Sequence, residues 1–149
     1  MKTGSLVLDR FLPYRLSVLS NRISSSIAAH YRNGFGISIA EWRVLAVLGE
    51  AGGITAGEVA LRTAMDKVGV SRAVQRLVNA GLLHRRASQR DGRIAHLELS
   101  ARGRRTYTRI APLALAYEQS LLRTLSASDR VALDRILGKL NARVAALDQ

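Results

Sequence analysis

The chain has 149 residues, the size of one domain, with 48% apolar and 23% charged residues, an ordinary globular balance rather than a disordered one. Twenty-three Lys and Arg against 11 Asp and Glu give a formal net charge of +12, and so basic a surface seeks polyanions, nucleic acid before acidic membrane. There is no Cys, which excludes a disulfide framework, a thiolate zinc site, a cysteine nucleophile and thiol redox sensing, and the three His show no metal-ligand spacing.

From Leu8, apolar residues recur at Leu12, Leu16, Leu19, Ile23 and Ile27, one stripe of a helix that starts near Asp9 or after Pro13 and is broken by Asn33-Gly34-Phe35-Gly36. Ser38 with Glu41 forms a capping box and opens a second helix through Trp42 and Leu48, which Gly52-Gly53 ends. Thr55 with Glu58 repeats the signature for a short third helix. Asp66 caps a fourth helix running to about Ala80, with Val70, Val74, Leu77 and Val78 on its apolar face and Gly81 as its stop. The period then changes, so Leu83 to Ser88 and Ile94 to Ser100 read as two strands, with Asp91-Gly92 as a hairpin-turn dipeptide between them. Ser100 caps a long helix that Pro112 should kink or mark with a boundary. Ser126 with Asp129 begins the last helix, whose seam is Leu133, Ile136, Leu137, Leu140, Val144 and Leu147.

Two short capped helices followed by a basic hairpin describe a winged helix–turn–helix, in which the second helix enters a major groove. Charge supports this reading, because twelve of the 23 basic residues lie between Arg62 and Arg109, against three acids. On the fourth helix the positions left outside the core are Lys67, Gly69, Ser71, Arg72, Gln75, Arg76 and Asn79, rich in donors to base edges and phosphates. At the hairpin tip Arg90 and Arg93 can enter a minor groove, with Asp91 close enough to orient the Arg93 guanidinium.

Gly81-Leu82-Leu83-His84-Arg85, Asp91-x-Arg93 and Leu99-Ser100-x-x-Gly103, following a helix–turn–helix, resemble the MarR family of bacterial transcriptional regulators. Ser100 stands where Thr is commoner and keeps the capping hydroxyl. The resemblance covers about residues 8–147. It implies a mainly α (α+β) fold: a winged helix–turn–helix with a two-stranded β-wing, flanked by N- and C-terminal dimerisation helices. The expected organisation is one domain over 1–149, with dimerisation helices at about 8–32 and 101–147 around a DNA-binding lobe at about 38–100. The implied partners are a second copy of the chain, a pseudo-palindromic double-stranded operator and a small-molecule effector that releases a repressor. Recognition-helix positions fall on Lys67 to Gln75, and the wing arginine on Arg93. Leu12-Pro13-Tyr14-Arg15-Leu16, Glu41-Trp42-Arg43-Val44-Leu45 and Ala64-Met65-Asp66-Lys67-Val68 are further similar to the NicR/BpsR-type branch of nicotinate-degradation regulators, which implies a hydroxylated pyridine carboxylate.

An aromatic acid needs an Arg fork and an aromatic wall. Arg15, which interrupts the apolar face of the first helix, and Arg43, beside the chain's one Trp, are the candidates for the fork, with Trp42 and Tyr31 for the wall and His96 or His84, at the wing base, for a polar contact. No nucleophile–base–acid set, phosphate-binding glycine loop or metal cluster is present, so neither an enzyme nor a cofactor is expected. The longest apolar run, Val44 to Gly49, is too short for a membrane span, and Leu6-Val7-Leu8 is too short for an export signal. A cytoplasmic protein without a membrane partner is expected. The competing reading is a basic, non-specific nucleic-acid-binding or architectural protein, which explains the charge but neither the dimer seam nor the single wing.

Overall fold

The computed structural model describes residues 4–149; the first three residues of the expected domain lie outside them. A 3-10 turn at Leu8–Arg10 precedes α1 (Leu12–Phe35), α2 (Ile39–Glu50), α3 (Ala56–Thr63), α4 (Lys67–Asn79), β1 (Leu83–Ala87), β2 (Ala95–Leu99), α5 (Ala101–Leu122) and α6 (Ala127–Leu147). The expected order of helices and hairpin is the observed one. Two compact units divide the chain, 4–113 and 114–149, and no helix among the described residues is long and apolar enough to cross a membrane.

The first unit holds the core. Val44, Leu45 and Leu48 of α2, Val59 of α3, and Val70, Val74 and Leu77 of α4 close on one another, and Leu83 and Leu97 bring the two strands onto the same cluster. The hairpin could not stand alone and is held by these helices. Its antiparallel register pairs Leu83 with Leu99 and Arg85 with Leu97. Ile54, before α3, adds a bridge to β2: the Leu97 N–H donates to the Ile54 carbonyl at 2.7 Å, and the Gly53 N–H to the Leu97 carbonyl at 2.9 Å. α5 docks through close backbone approach. A Cβ at Gly103 would overlap the Leu82 carbonyl oxygen, while Ser100 Oγ accepts the Gly103 N–H and donates to the Gly81 carbonyl.

Local signals placed the helix starts. The capping boxes at Ser38/Glu41, Thr55/Glu58 and Ser126/Asp129 are all formed, and Asp66 Oδ1 accepts the Gly69 N–H at 2.7 Å. Two expectations are corrected. α1 is not broken at Asn33: it runs through Phe35 and ends on Gly36, whose left-handed φ of 64° needs no Cβ. The strands are each shorter, and Ser88–Ile94 is a longer loop closed by the Ser88 N–H donating to the Ile94 carbonyl at 2.8 Å; within it the Ile94 N–H donates to the Asp91 carbonyl, so Gly92-Arg93 and not Asp91-Gly92 form the turn's centre. Pro112 lies inside α5, and the division between the two units falls just beyond it, at the boundary expected there.

In the second unit α6 buries none of its residues, and Leu133, Ile136, Leu137, Val144 and Leu147 stand exposed along it. In the first unit, the N-terminal half of α1 likewise exposes Leu12, Leu16 and Leu19.

Candidate nucleic-acid interface

α4 commits Val70, Ala73, Val74 and Leu77 to the core, so helical geometry turns the remaining positions outward. Lys67, Ser71, Arg72, Gln75, Arg76 and Asn79 are all exposed, as the pattern of the helix requires. Gly69 is half-buried, and its N–H is already held by the Asp66 cap, which leaves it a place in the helix's first turn rather than a donor for phosphate. Gln75 is oriented from two sides: its Nε2 donates to Asn79 Oδ1 at 2.8 Å, and Arg85 Nη2 donates to its Oε1 at 3.1 Å. That second bond ties strand β1 to the exposed face of α4.

Two residues of this surface escaped the sequence reading. Val68 is 60% exposed in the middle of the polar face of α4, where an apolar side chain suits a thymine methyl; its position off the 70/74/77 stripe was the available signal. Arg85, named only within the Gly81–Arg85 stretch and given no site role, is the link between helix and wing.

At the wing, Arg90, Asp91 and Arg93 are exposed together in the loop. Ser88 Oγ accepts the Arg90 N–H at 3.2 Å, and Asp91 Oδ1 accepts the Arg93 N–H at 3.0 Å. Asp91 therefore shapes the turn's backbone and does not hold the Arg93 guanidinium, a correction to its expected role; among the described residues the ion pairs are those of Glu98 with Arg86, at 2.6 Å, and His84, at 3.6 Å. Asp and Asn favour such local bonds to a backbone N–H two residues on.

Three of the residues expected to meet an effector converge. Tyr31, Trp42 and Arg43 line a cleft of about 190 Å³ between α1 and α2, with Ser24, Ile27 and Ile39. These residues sit at helical spacing on facing stripes, 24/27/31 and 39/42/43, which is why the cleft is lined from both sides. Trp42 lies between two rings, 5.8 Å from Tyr31 and 6.0 Å from Tyr107, the latter near-parallel at 22°. Tyr107, absent from the sequence reading, packs where a Cβ on Gly49 would overlap its ring. Arg43 Nη2 donates to Ser24 Oγ at 3.0 Å. Burial pushes the Tyr31 hydroxyl above its ordinary pKa, with Arg43 and Arg32 pulling the other way, so it stays a neutral donor at physiological pH. Arg15 is not in this cleft but in a separate hollow with Asp9, Tyr14 and Arg22, and His96 sits at the wing base with Nδ1 2.9 Å from the Gly53 carbonyl. One-dimensional spacing could not show which Arg lines the cleft with Tyr31 and Trp42.

A MarR family model matches residues 35–94, the span from the end of α1 through the wing loop. An HTH-type transcriptional repressor of Mycobacterium tuberculosis is 26% identical over 133 residues, 89% of this chain and 92% of that protein. Among solved structures, a MarR/EmrR family transcriptional regulator from Acinetobacter sp. ADP1 superposes with a TM-score of 0.87 at 25% identity, covering 95% of this chain and 99% of that one. BpsR of Bordetella bronchiseptica, described with regulation of its DNA binding by 6-hydroxynicotinic acid, superposes with a TM-score of 0.81 at 23% identity, over 93% and 98% of the two chains. With residues 35–94 matched by a MarR family model, a formed wing and this shared architecture, the chain is similar over nearly its whole length to winged helix–turn–helix transcriptional regulators of the MarR family.

Proposed function

We propose that the protein is a sequence-specific, double-stranded-DNA-binding repressor that works in the cytoplasm as a homodimer on a pseudo-palindromic operator. The observation that carries this reading is the Arg85–Gln75 hydrogen bond, which joins the exposed face of α4 to the strand leading into the wing. Lys67, Ser71, Arg72, Gln75 and Arg76 then belong to the same surface as Arg90 and Arg93, with α4 read as the major-groove element and the wing tip as the minor-groove one. Gly69 and Asp91 contribute by shaping the backbone that presents them. The unpartnered apolar residues of α1 and α6 supply the surface a second copy would cover.

The effector in this reading is a small aromatic acid of the hydroxynicotinate type, seated against Trp42 and Tyr31 with its carboxylate on Arg43. Support comes from the convergence of a guanidinium and two rings on a cleft sized for a single six-membered ring, together with the architecture shared with BpsR. Arg15 and His96 lie outside it. Binding of a duplex, compared with either of its single strands across a salt series, tests the DNA half: the duplex should be preferred and log affinity should fall steeply with log salt. Equal affinity for both forms points instead to a non-specific basic protein. For the effector, 6-hydroxynicotinate should raise the Tm of the wild type and weaken duplex binding, and Arg43→Ala should lose both responses while keeping its DNA affinity. An unaltered response in Arg43→Ala removes that residue from the site.

A further inference from the structure

We propose that a second cavity, formed by the C-terminal ends of α1 and α4 and the first half of α5, binds a small organic dianion. The cavity measures about 350 Å³, within the range of small-ligand sites, and shares no lining residue with the cleft around Trp42. Three arginines line it: Arg102 and Arg109 from α5, and Arg76 from α4, which also belongs to the proposed DNA surface. Arg102 and Arg109 lie seven residues apart, on one face of their helix with Thr106 between them.

The opposing charge is small. Glu41 is the one acid in the lining, only 8% exposed, and its Oε2 is engaged as the acceptor of the Ser38 N–H at 3.0 Å. Two of the guanidiniums are already positioned: Arg102 Nη1 donates to the Ala80 carbonyl at 3.2 Å, and Arg109 lies 5.1 Å from the centre of the Phe35 ring. Like charges gathered in a concavity repel one another, and a bound dianion relieves that repulsion. Guanidinium forks match carboxylates in two-point geometry. Phe35, Ile37 and Leu82 line it beside the guanidiniums and Thr106, so an organic body carrying two carboxylates meets apolar side chains that a bare inorganic ion would not use.

The binding claim stands on this cavity alone and is tested without DNA. Phthalate, an aromatic dicarboxylate, is titrated into 15N-labelled wild-type protein, with benzoate and inorganic phosphate as comparisons. Phthalate should give saturable shifts at the Phe35, Ile37, Leu82 and Thr106 amides with a Kd of about 1 mM or tighter, and benzoate should bind several-fold more weakly. Arg102→Gln and Arg109→Gln should each weaken phthalate about tenfold or more, whereas Arg43→Ala should leave it unchanged. Should either Gln variant fail to fold, the wild-type shift map still decides. Shifts that never saturate, that scatter over the wing, or that persist undiminished in folded Arg102 and Arg109 variants overturn the proposal. Inorganic phosphate binding as tightly as phthalate overturns its organic part.

Discussion

Asp91 and Arg93 divide the labour of the wing tip: the carboxylate accepts the Arg93 N–H, and the guanidinium stays exposed. Asp91→Ala should therefore weaken duplex binding several-fold by loosening the turn, while Asp91→Asn, which keeps the Oδ1 acceptor and removes a negative charge facing DNA, should bind at least as well as wild type. A carboxylate that instead steered the guanidinium by charge would make both variants equally weak, a distinction fluorescence anisotropy can read. Arg72 and Arg93 should fail differently. Arg72→Ala should cost ~1–3 kcal/mol on the preferred site and relax preference at one base position, as loss of a base-edge contact does. Arg93→Ala should weaken binding on preferred and scrambled duplex alike and make the log-affinity against log-salt slope shallower by about one unit per site. Unchanged affinity and slope in Arg93→Ala would take the wing off the DNA.

Elements were legible where their signals are local. Ser38/Glu41, Thr55/Glu58 and Ser126/Asp129 each satisfy helix N-terminal N–H groups within four residues, so the sequence shows them directly. The end of α1 was misplaced because Asn33-Gly34 looks like a turn, whereas the residue that takes the left-handed conformation is Gly36. The Ile54 bridge to Leu97 and the stacking of Tyr107 on Trp42 join residues far apart in sequence, and no periodicity records them. The candidate site shows the same divide. Which residues of α4 leave the core follows from helical spacing, but that Arg43 and not Arg15 lines one cleft with Tyr31 and Trp42 depends on how α1 and α2 pack. Packing also assigns a duty to Gly103. Gly103→Ala should push α5 off the Leu82 carbonyl and destabilise the fold by about 1–3 kcal/mol, the usual cost of overfilling a tight contact. Thermal unfolding measures it, and a Tm equal to wild type would show that α5 does not need this approach.

At the scale of the whole molecule, the unburied apolar residues of α6 and of the first half of α1 predict association. Light scattering at micromolar concentration should give about twice the chain mass of 16.2 kDa, and Ile136→Glu, on the exposed seam, should shift the population toward monomer. A wild-type monomer would leave each protein with a single α4 and a single wing. The consequence for DNA is geometric, because two-fold protein symmetry demands a two-fold site. Selection of duplexes from a random library by the wild-type chain tests this most directly. The enriched sequences should form an inverted repeat whose half-sites are centred about 10 base pairs apart, or a multiple of that helical turn, so that two copies of α4 reach successive major grooves on one side of the duplex. Enrichment of no sequence above the starting library, or of a lone half-site without its inverted mate, would contradict the account.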